Sequence, residues 1–345
     1  MRLRRALSFD DVLMVPRLSH LNSRAEADLS TTVAGVELRI PIIAANMSSV
    51  CEDDMAIAVS EMGGLGVIHR MCSVEDQAEM VANAALMEGA SWKRTVGFSI
   101  GIGPDWRERM DACRKHASIV CLDVAHGHHE RVLELLVRYF GIYKDFPLVI
   151  GQVATASAVR DILRIVPERH HKSIAFKTSI GGGSLCTTRV QTGFGIPTLQ
   201  AIMDITAEFP DVSLISDGGI KSSGDIVKSI AAGANAVMLG NLLAGTNEAP
   251  GKIIKGRDNQ LYKIYRGSAS FGDKSLRGEE TRNVEGEETL VPYRGSVERV
   301  IQNLLDGVRS GFSYAGSGNV SELQDGVEFI EISAAGYQES LAHGK

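Results

Sequence analysis

The sequence predicts an α/β protein, a single (β/α)8 TIM barrel over residues 1–345, and three observations predict it. Eight short apolar runs recur along the 345 residues. Amphipathic segments with helical periodicity separate them. Polar and glycine residues gather where the runs end. Continuous apolar strands alternating with helices make a parallel sheet covered on both faces. Eight such units close into a barrel, with a doubly wound open sheet as the alternative.

The runs follow in order. "IPIIAAN" (40–46) precedes a helix-like "DDMAIAVSEM". "GLGVIHR" (64–70) precedes "SVEDQAEMVANAALMEG", where Ser73 with Asp76 three residues on reads as a capping box. "TVGFSI" (95–100), "SIVCLDVA" (118–125), "PLVIGQVA" (147–154), "SIAFKTSI" (173–180), "SLISDGG" (213–219) and "AVMLGN" (236–241) complete the set. After the eighth run the rhythm breaks. Residues 265–295 are polar, charged and glycine-rich, too long for a routine connection, and read as a flap or lid. The helical "SVERVIQNLLDGVRSGFSYAG" then returns, so the flap is an excursion from the barrel and not its end.

Composition narrows the function classes. The formal net charge is -6 and 44% of residues are hydrophobic, which suits a globular protein with a sizeable core. No Lys/Arg cluster marks a partner nucleic acid or an anionic membrane. No apolar run approaches the roughly 18–20 residues that cross a bilayer. The N-terminal "MRLRRALSFDDV" reaches Asp10 and Asp11 before any long apolar stretch, so no cleaved signal peptide is expected. The 5 cysteines are scattered and form no CxxC, which points to reduced thiols in the cytoplasm.

Chemistry concentrates at the run ends, which in a barrel share the C-terminal face. "GGGSLCTTR" (181–189) starts at a strand end. Gly181, Gly182 and Gly183 free the backbone to meet an ion, and Ser184 adds a hydroxyl. Cys186 among Thr187, Thr188 and Arg189 sits in a polar setting that favours thiolate. A reactive thiol and a structural one are both open for it. Gly218, Gly219, Gly240 and Asn241 follow the seventh and eighth runs, where barrels often bind phosphate. Asp217 faces two readings, a ribose-diol acceptor or a helix cap. In "DVAHGHHE" the three histidines lack zinc-site spacing, and Asp123 is the better ligand contact. Together these describe a nucleotide phosphate at runs seven and eight, a ribose at Asp217, and a thiol aimed at the base for covalent catalysis.

At this point the residues resemble a family. "LSFDDVLMVP", "IPIIAANM", "GGLGVIHR", "DVAHGH", "GGGSLCTTRVQTGFGIP", "SDGGIKSSGDIVKSIAAGANAVMLGNLLAGTNEAPG" and "YRGSAS" look like the IMP dehydrogenase and GMP reductase family, from about residue 7 to about residue 315. The resemblance implies a barrel, usually tetrameric, that binds a purine nucleotide and a nicotinamide cofactor. It implies that Cys186 attacks purine C2 to form a covalent thioimidate, with Thr188 as the catalytic threonine. It places Ser184, Gly218, Gly219, Gly240 and Asn241 at the phosphate, Asp217 at the ribose, and Gly267 and Ser268 at the purine edge. Asp123, with Ala125 and His126 of the same loop, falls on the nicotinamide side. Main-chain groups of Gly181, Gly183 and Cys186 correspond to the family's potassium site.

Within the family the resemblance is nearer to a GMP reductase: GMP as substrate, NADPH as cofactor, ammonia and IMP as products. Only one helix fits between residues 69 and 95, so the regulatory CBS pair that most dehydrogenases insert there is absent. Residues 265–295 are short and hold no Arg-Tyr pair, and "YRGSAS…NVEGEE" places Glu285 at the ammonia-activating position. "EAPG" and "GGLGVIHR" look more like a dehydrogenase, which keeps a CBS-less IMP dehydrogenase open; a nucleotide-binding regulator without catalysis is the third reading. The sequence also departs from the family. Ser179-Ile180-Gly181-Gly182-Gly183 replaces the usual Gly-Ile-Gly-Pro-Gly, Gln152 replaces Asn, and Ser48 replaces Asp.

Overall fold

The structure is a computed structural model and describes residues 3–86, 94–268, 270 and 286–341. All eight apolar runs are strands: β1 (Ile42–Ala44), β2 (Leu65–Ile68), β3 (Val96–Ile100), β4 (Ile119–Asp123), β5 (Leu148–Val153), β6 (Ile174–Thr178), β7 (Ser213–Asp217) and β8 (Ala236–Leu239). They are parallel, and β8 pairs back to β1 through Val237↔Ile42 and Leu239↔Ala44, which closes the barrel. The open doubly wound sheet is thereby excluded. The strand residues are apolar on both faces because one face fills the barrel and the other meets helices; Phe98, Ile150, Phe176 and Ile215 are all fully buried.

Helices follow the strands: α1 (Asp53–Glu61), α2 (Val74–Ala85), α3 (Trp106–Cys113), α4 (Glu130–Tyr143), α5 (Ala156–Ile165), α6 (Thr188–Thr192), α7 (Thr198–Glu208), α8 (Ser223–Ala231), α9 (Asn241–Ala244) and α10 (Val297–Ala315). Half of the box expected at α2 is made, since the Ser73 hydroxyl accepts the Asp76 amide at 3.0 Å. The full box forms at α8. There Ser222 accepts from the Asp225 amide, and Asp225 accepts from the Ser222 amide. The long α10 packs between α8 and α1, so it is the barrel's eighth outer helix. The chain between β2 and β3 holds α2 and has no room for a further domain.

Between β8 and α10 lies the flap, and its roots are ordered sheet. Three strands, β9 (Ile254–Lys255), β10 (Leu261–Arg266) and β11 (Glu288–Pro292), pair antiparallel, with Arg266 opposite Glu288. The excursion thus starts before residue 265, as a sheet continuous with the segment expected to be the lid. Residues 269 and 271–285, Glu285 among them, lie outside the described residues. A strand Val12–Met14 pairs with Phe329–Glu331 and ties the two ends of the chain together. Among the described residues no helix is long and apolar enough to cross a membrane.

Candidate active site

A cavity of about 800 Å³ opens at the C-terminal face of the barrel, and the ends of β1, β4, β5, β6, β7 and β8 line it together with the flap root. Of the residues singled out in the sequence, Cys186, Thr188, Ser184, Asp217, Gly218, Gly219, Gly240, Asn241, Gly267, Ser268, Asp123, Ala125, Gly181 and Gly183 all face it. His126 does not line it and is exposed. It stacks edge-on against His128, whose Nε2 bonds Asp161 at 3.0 Å, while His129 accepts the Arg131 amide at the start of α4. Among the described residues no three His, Cys, Asp or Glu side chains are placed to hold a metal ion.

The cysteine loop leaves β6 and turns tightly. The Cys186 amide donates to the Gly183 carbonyl at 3.1 Å, and the Cys186 thiol donates to Thr188 Oγ1 at 3.1 Å. The loop is pinned from outside by the flap: Cys186 forms an isolated antiparallel bridge with Gly286, and the Glu287 amide donates to the Leu185 carbonyl at 3.1 Å. The other four cysteines lie elsewhere. Burial pushes the Cys72 thiol up to about 11 and the Cys113 and Cys121 thiols up to about 12; Cys51 is raised as well. Those thiols stay protonated at neutral pH and are inert.

The altered glycine loop compensates itself. Gly182 stands where the family pattern has proline, so it carries an amide hydrogen that proline lacks. The Ser179 hydroxyl, standing where the pattern has glycine, accepts that hydrogen at 3.2 Å and is held in turn by the Thr198 hydroxyl at 3.3 Å. A Cβ on Gly182 would lie 2.5 Å from both hydroxyl oxygens, so the pair of changes is sterically matched. The neighbouring loop comes equally close. Gly218 has φ +92, and a Cβ there would sit 2.8 Å from the Gly182 carbonyl carbon, so only glycine lets the β6 and β7 loops touch.

Sequence reasoning missed three residues of the site, Lys177, Arg70 and Tyr265, and met a fourth, Gln152, only as a departure from the family pattern. Lys177, next to last in β6, is 3% exposed and bridges two carboxylates, Asp123 Oδ1 at 2.9 Å and Asp217 Oδ2 at 3.1 Å. Burial alone would pull its ammonium down; Asp123 and Asp217 outweigh that and hold it well above its ordinary value. Burial would likewise raise the Asp123 carboxyl, but Lys177 and Arg70 hold it below the usual carboxylate range. Gln152 donates from Nε2 to Asp217 Oδ2 at 2.6 Å. Its Oε1, like Arg70 Nε, is buried without a partner at the cavity wall. Tyr265, from the flap root, is 4% exposed, and its hydroxyl lies 3.4 Å from Ser184 Oγ. Burial raises the phenol's pKa, so it remains a donor at neutral pH. A Cβ on Gly240 would come within 2.7 Å of that hydroxyl. Ser184, Tyr265 and Gly240 therefore enclose one small polar recess. The signals were present: a lysine interrupting "IAFKTSI" and a tyrosine before "RGS".

Comparison with known proteins follows the same lines. The model of the IMP dehydrogenase / GMP reductase domain matches residues 6–343. An inosine-5'-monophosphate dehydrogenase of Borreliella burgdorferi is 32% identical, in an alignment covering 98% of this chain and 96% of that protein. A GMP reductase of Leishmania major is 28% identical, with 98% and 96% covered. Among solved structures, a GMP reductase from Trypanosoma brucei in complex with guanosine 5'-monophosphate superimposes with a TM-score of 0.91 at 27% identity, over 99% of this chain and 98% of that one.

Proposed function

The chain belongs to the IMP dehydrogenase / GMP reductase family, oxidoreductases that use a nicotinamide nucleotide, and we propose that it is a GMP reductase converting GMP to IMP and ammonia. The observation that carries the reading is the bridge between Cys186 and Gly286. It lays Gly286, with Glu287 beside it at the start of the flap's return, directly against the nucleophile's loop.

Cys186 Sγ attacks C2 of the purine, the 2-amino group leaves as ammonia, and a thioimidate joins the ring to the enzyme. Thr188 holds the thiol and, with Glu285, moves the proton that the leaving nitrogen takes up. NADPH, when bound, would supply the hydride that takes the place of the Cys186 sulfur at C2, which frees the thiolate and leaves IMP. Asp217 offers a carboxylate to the ribose diol, while Ser184, Tyr265, Gly219, Gly240 and Asn241 surround the phosphate. Gly267 and Ser268 face the purine edge. The cofactor side fits: Asp123 and Ala125 line that wall, and the unpartnered Arg70 Nε and Gln152 Oε1 supply a donor and an acceptor for a polar ligand. For potassium, the main-chain carbonyls of Gly181, Gly183 and Cys186 are oxygen ligands of the right kind, and the Gly183 carbonyl keeps a lone pair beyond the one taken by Cys186.

A second reading, a CBS-less IMP dehydrogenase, is favoured by the "EAPG" segment and by the 32% identical dehydrogenase. Incubation with GMP plus NADPH, and separately with IMP plus NAD, decides between them. NADPH loss with GMP alone supports the reductase; NADH appearance with IMP alone overturns it. Nucleotide binding without turnover of either pair would leave a regulator.

A further inference from the structure

Outside the catalytic cavity, the flap root holds a second buried lysine. Lys263, in the middle of β10, is 2% exposed, and its ammonium donates to three main-chain carbonyls: Thr246 at 2.9 Å, Asn247 at 3.2 Å, and Ala249. An ammonium has three hydrogens, so the cage uses all of them. The carbonyls come from one loop, the segment that leaves α9, which itself begins at Asn241, next to Gly240 of the recess.

Arg294, two residues after β11, grips the other end of the same segment. Its guanidinium donates to the carbonyls of Asn241 at 3.0 Å and Leu242 at 2.7 Å, and its own amide donates to Gly245 at 2.8 Å. Two cations, one within the flap sheet and one just after it, therefore hold the loop that follows β8. Successive side chains of a strand alternate faces, so Lys263 and Tyr265 point the same way. Both are buried, at 2% and 4% exposure. Where the lysine is fixed, the tyrosine hydroxyl is fixed over Gly240, and the next residues, Gly267 and Ser268, enter the cavity in register.

We propose that Lys263 is a positioning residue that works as a tethered monovalent cation, its ammonium in a cage of three carbonyls setting the phosphate loop after β8 against the nucleotide-reading strand of the flap. The inference rests on the purine-nucleotide reading above. A ring of main-chain carbonyls is a ligand set for an ammonium or alkali ion, and the lysine stem fills the approach to it. Lys263→Ala removes three carbons and the ammonium, which together are the skeleton of n-propylammonium.

The test is direct GMP binding by calorimetry, beside steady-state kinetics. Wild-type protein that binds neither GMP nor IMP is a failure of the functional reading, seen before any variant is made. Lys263→Ala is expected to weaken GMP binding by about tenfold or more, with a smaller fall in kcat, because loop placement and not chemistry is lost. Added n-propylammonium chloride is expected to restore most of that affinity, while equal tetramethylammonium chloride does not and wild type is unmoved by either. Wild-type affinity in Lys263→Ala, or a weakened affinity that the amine leaves unchanged, overturns the proposal. Should Lys263→Ala fail to fold, Lys263→Arg carries the test. It keeps charge and stem, but its planar fork cannot meet three carbonyls around one point. Affinity for GMP should then fall several-fold with the thermal transition intact; an unchanged affinity overturns the proposal.

Discussion

Replacing Lys177 by methionine tests the electrostatic centre of the site. The substitution keeps a stem as long as the lysine's carbon chain and removes the charge between Asp123 and Asp217, which sit 2.9 and 3.1 Å from the ammonium. Taking one partner from a buried ion pair costs about 3–5 kcal/mol, because the remaining charge is left without compensation. The lower half of that range applies here, since the Asp123 and Asp217 side chains keep 14% and 19% exposure and Gln152 still donates to Asp217. With an unfolding entropy of about 2.1 cal/mol/K per residue, the cost lowers Tm by about 4–6 °C in a chain of 345 residues. The pH dependence has a definite sign. Asp123 is held below its ordinary 3.8 in the folded protein, so its contribution is present above that value and is lost as pH falls through the folded pKa. Lys177 is raised above 10.5, so its contribution is complete below 10.5 and fades only at higher pH. In the variant, burial without the lysine raises Asp123 instead, so acid relieves the strain. Calorimetric melts at pH 7.5 and pH 4 should therefore show a gap between wild type and variant that narrows in acid. Equal melting temperatures at pH 7.5, or a gap of constant size at both pH values, would refute the reasoning.

Further outcomes can be checked with the same protein. Cys186→Ala should abolish turnover while GMP affinity stays within a few-fold of wild type; residual rates near wild type would remove the thiol from the reaction. Glu285→Gln should slow deamination of GMP far more than it weakens GMP binding, and an unchanged rate would leave the carboxylate without a role. Tyr265→Phe should raise the KM for GMP about tenfold, the effect of one hydrogen bond to a charged group, with kcat little altered. Ser179→Gly and Gly182→Pro should be non-additive: each alone disturbs the cysteine loop, and the double variant should recover about 0.5–3 kcal/mol relative to the sum in a denaturation cycle. Strict additivity would mean that the two departures from the family pattern are independent.

The barrel was legible because each strand is buried on both faces, which writes it as an unbroken apolar run such as "PLVIGQVA" or "AVMLGN". The loops of the site were legible for a related reason. Glycines are forced where two loops touch, as at Gly218, and a strand end must place its next polar residue in the cavity. What stayed hidden were polar residues inside apolar patterns. Lys177 reads as an interruption of β6 until Asp123 and Asp217, distant in sequence, are seen on either side of it. The flap sheet was missed because "LYKIYR" places Lys263 at an inward position, which breaks the alternation a half-buried strand shows. The carbonyl cage that makes that position favourable belongs to residues 246–249 and is invisible from the strand alone. His126, placed on the nicotinamide side by the resemblance, does not line the cavity. The loop leaves it exposed, while its neighbour His128 bonds Asp161 and His129 caps the start of α4.

These placements bear on how a chain of net charge -6 would hold a dianionic phosphate. Among the described residues, five cationic side chains line the cavity: Arg70, Lys177, Arg189, Lys221 and Arg294. Each already has a protein partner. Arg70 donates to the Asp123 carbonyl, Lys177 to two carboxylates, Arg189 to the Ile180 and Ile196 carbonyls, Lys221 to Asp10, and Arg294 to Asn241 and Leu242. In the proposed site the phosphate therefore falls to neutral donors, the amides of the glycine loops and the hydroxyls of Ser184 and Tyr265. Neutral donors fixed in place keep their strength without reorganising, whereas a flexible lysine would lose side-chain entropy on binding. The cations hold the loops, and the loops hold the anion. Among the described residues the nucleotide's affinity then depends on loop placement and should change little with moderate salt, since the exposed pair at the rim, Lys221 with Asp10, is made within the protein and not to the phosphate.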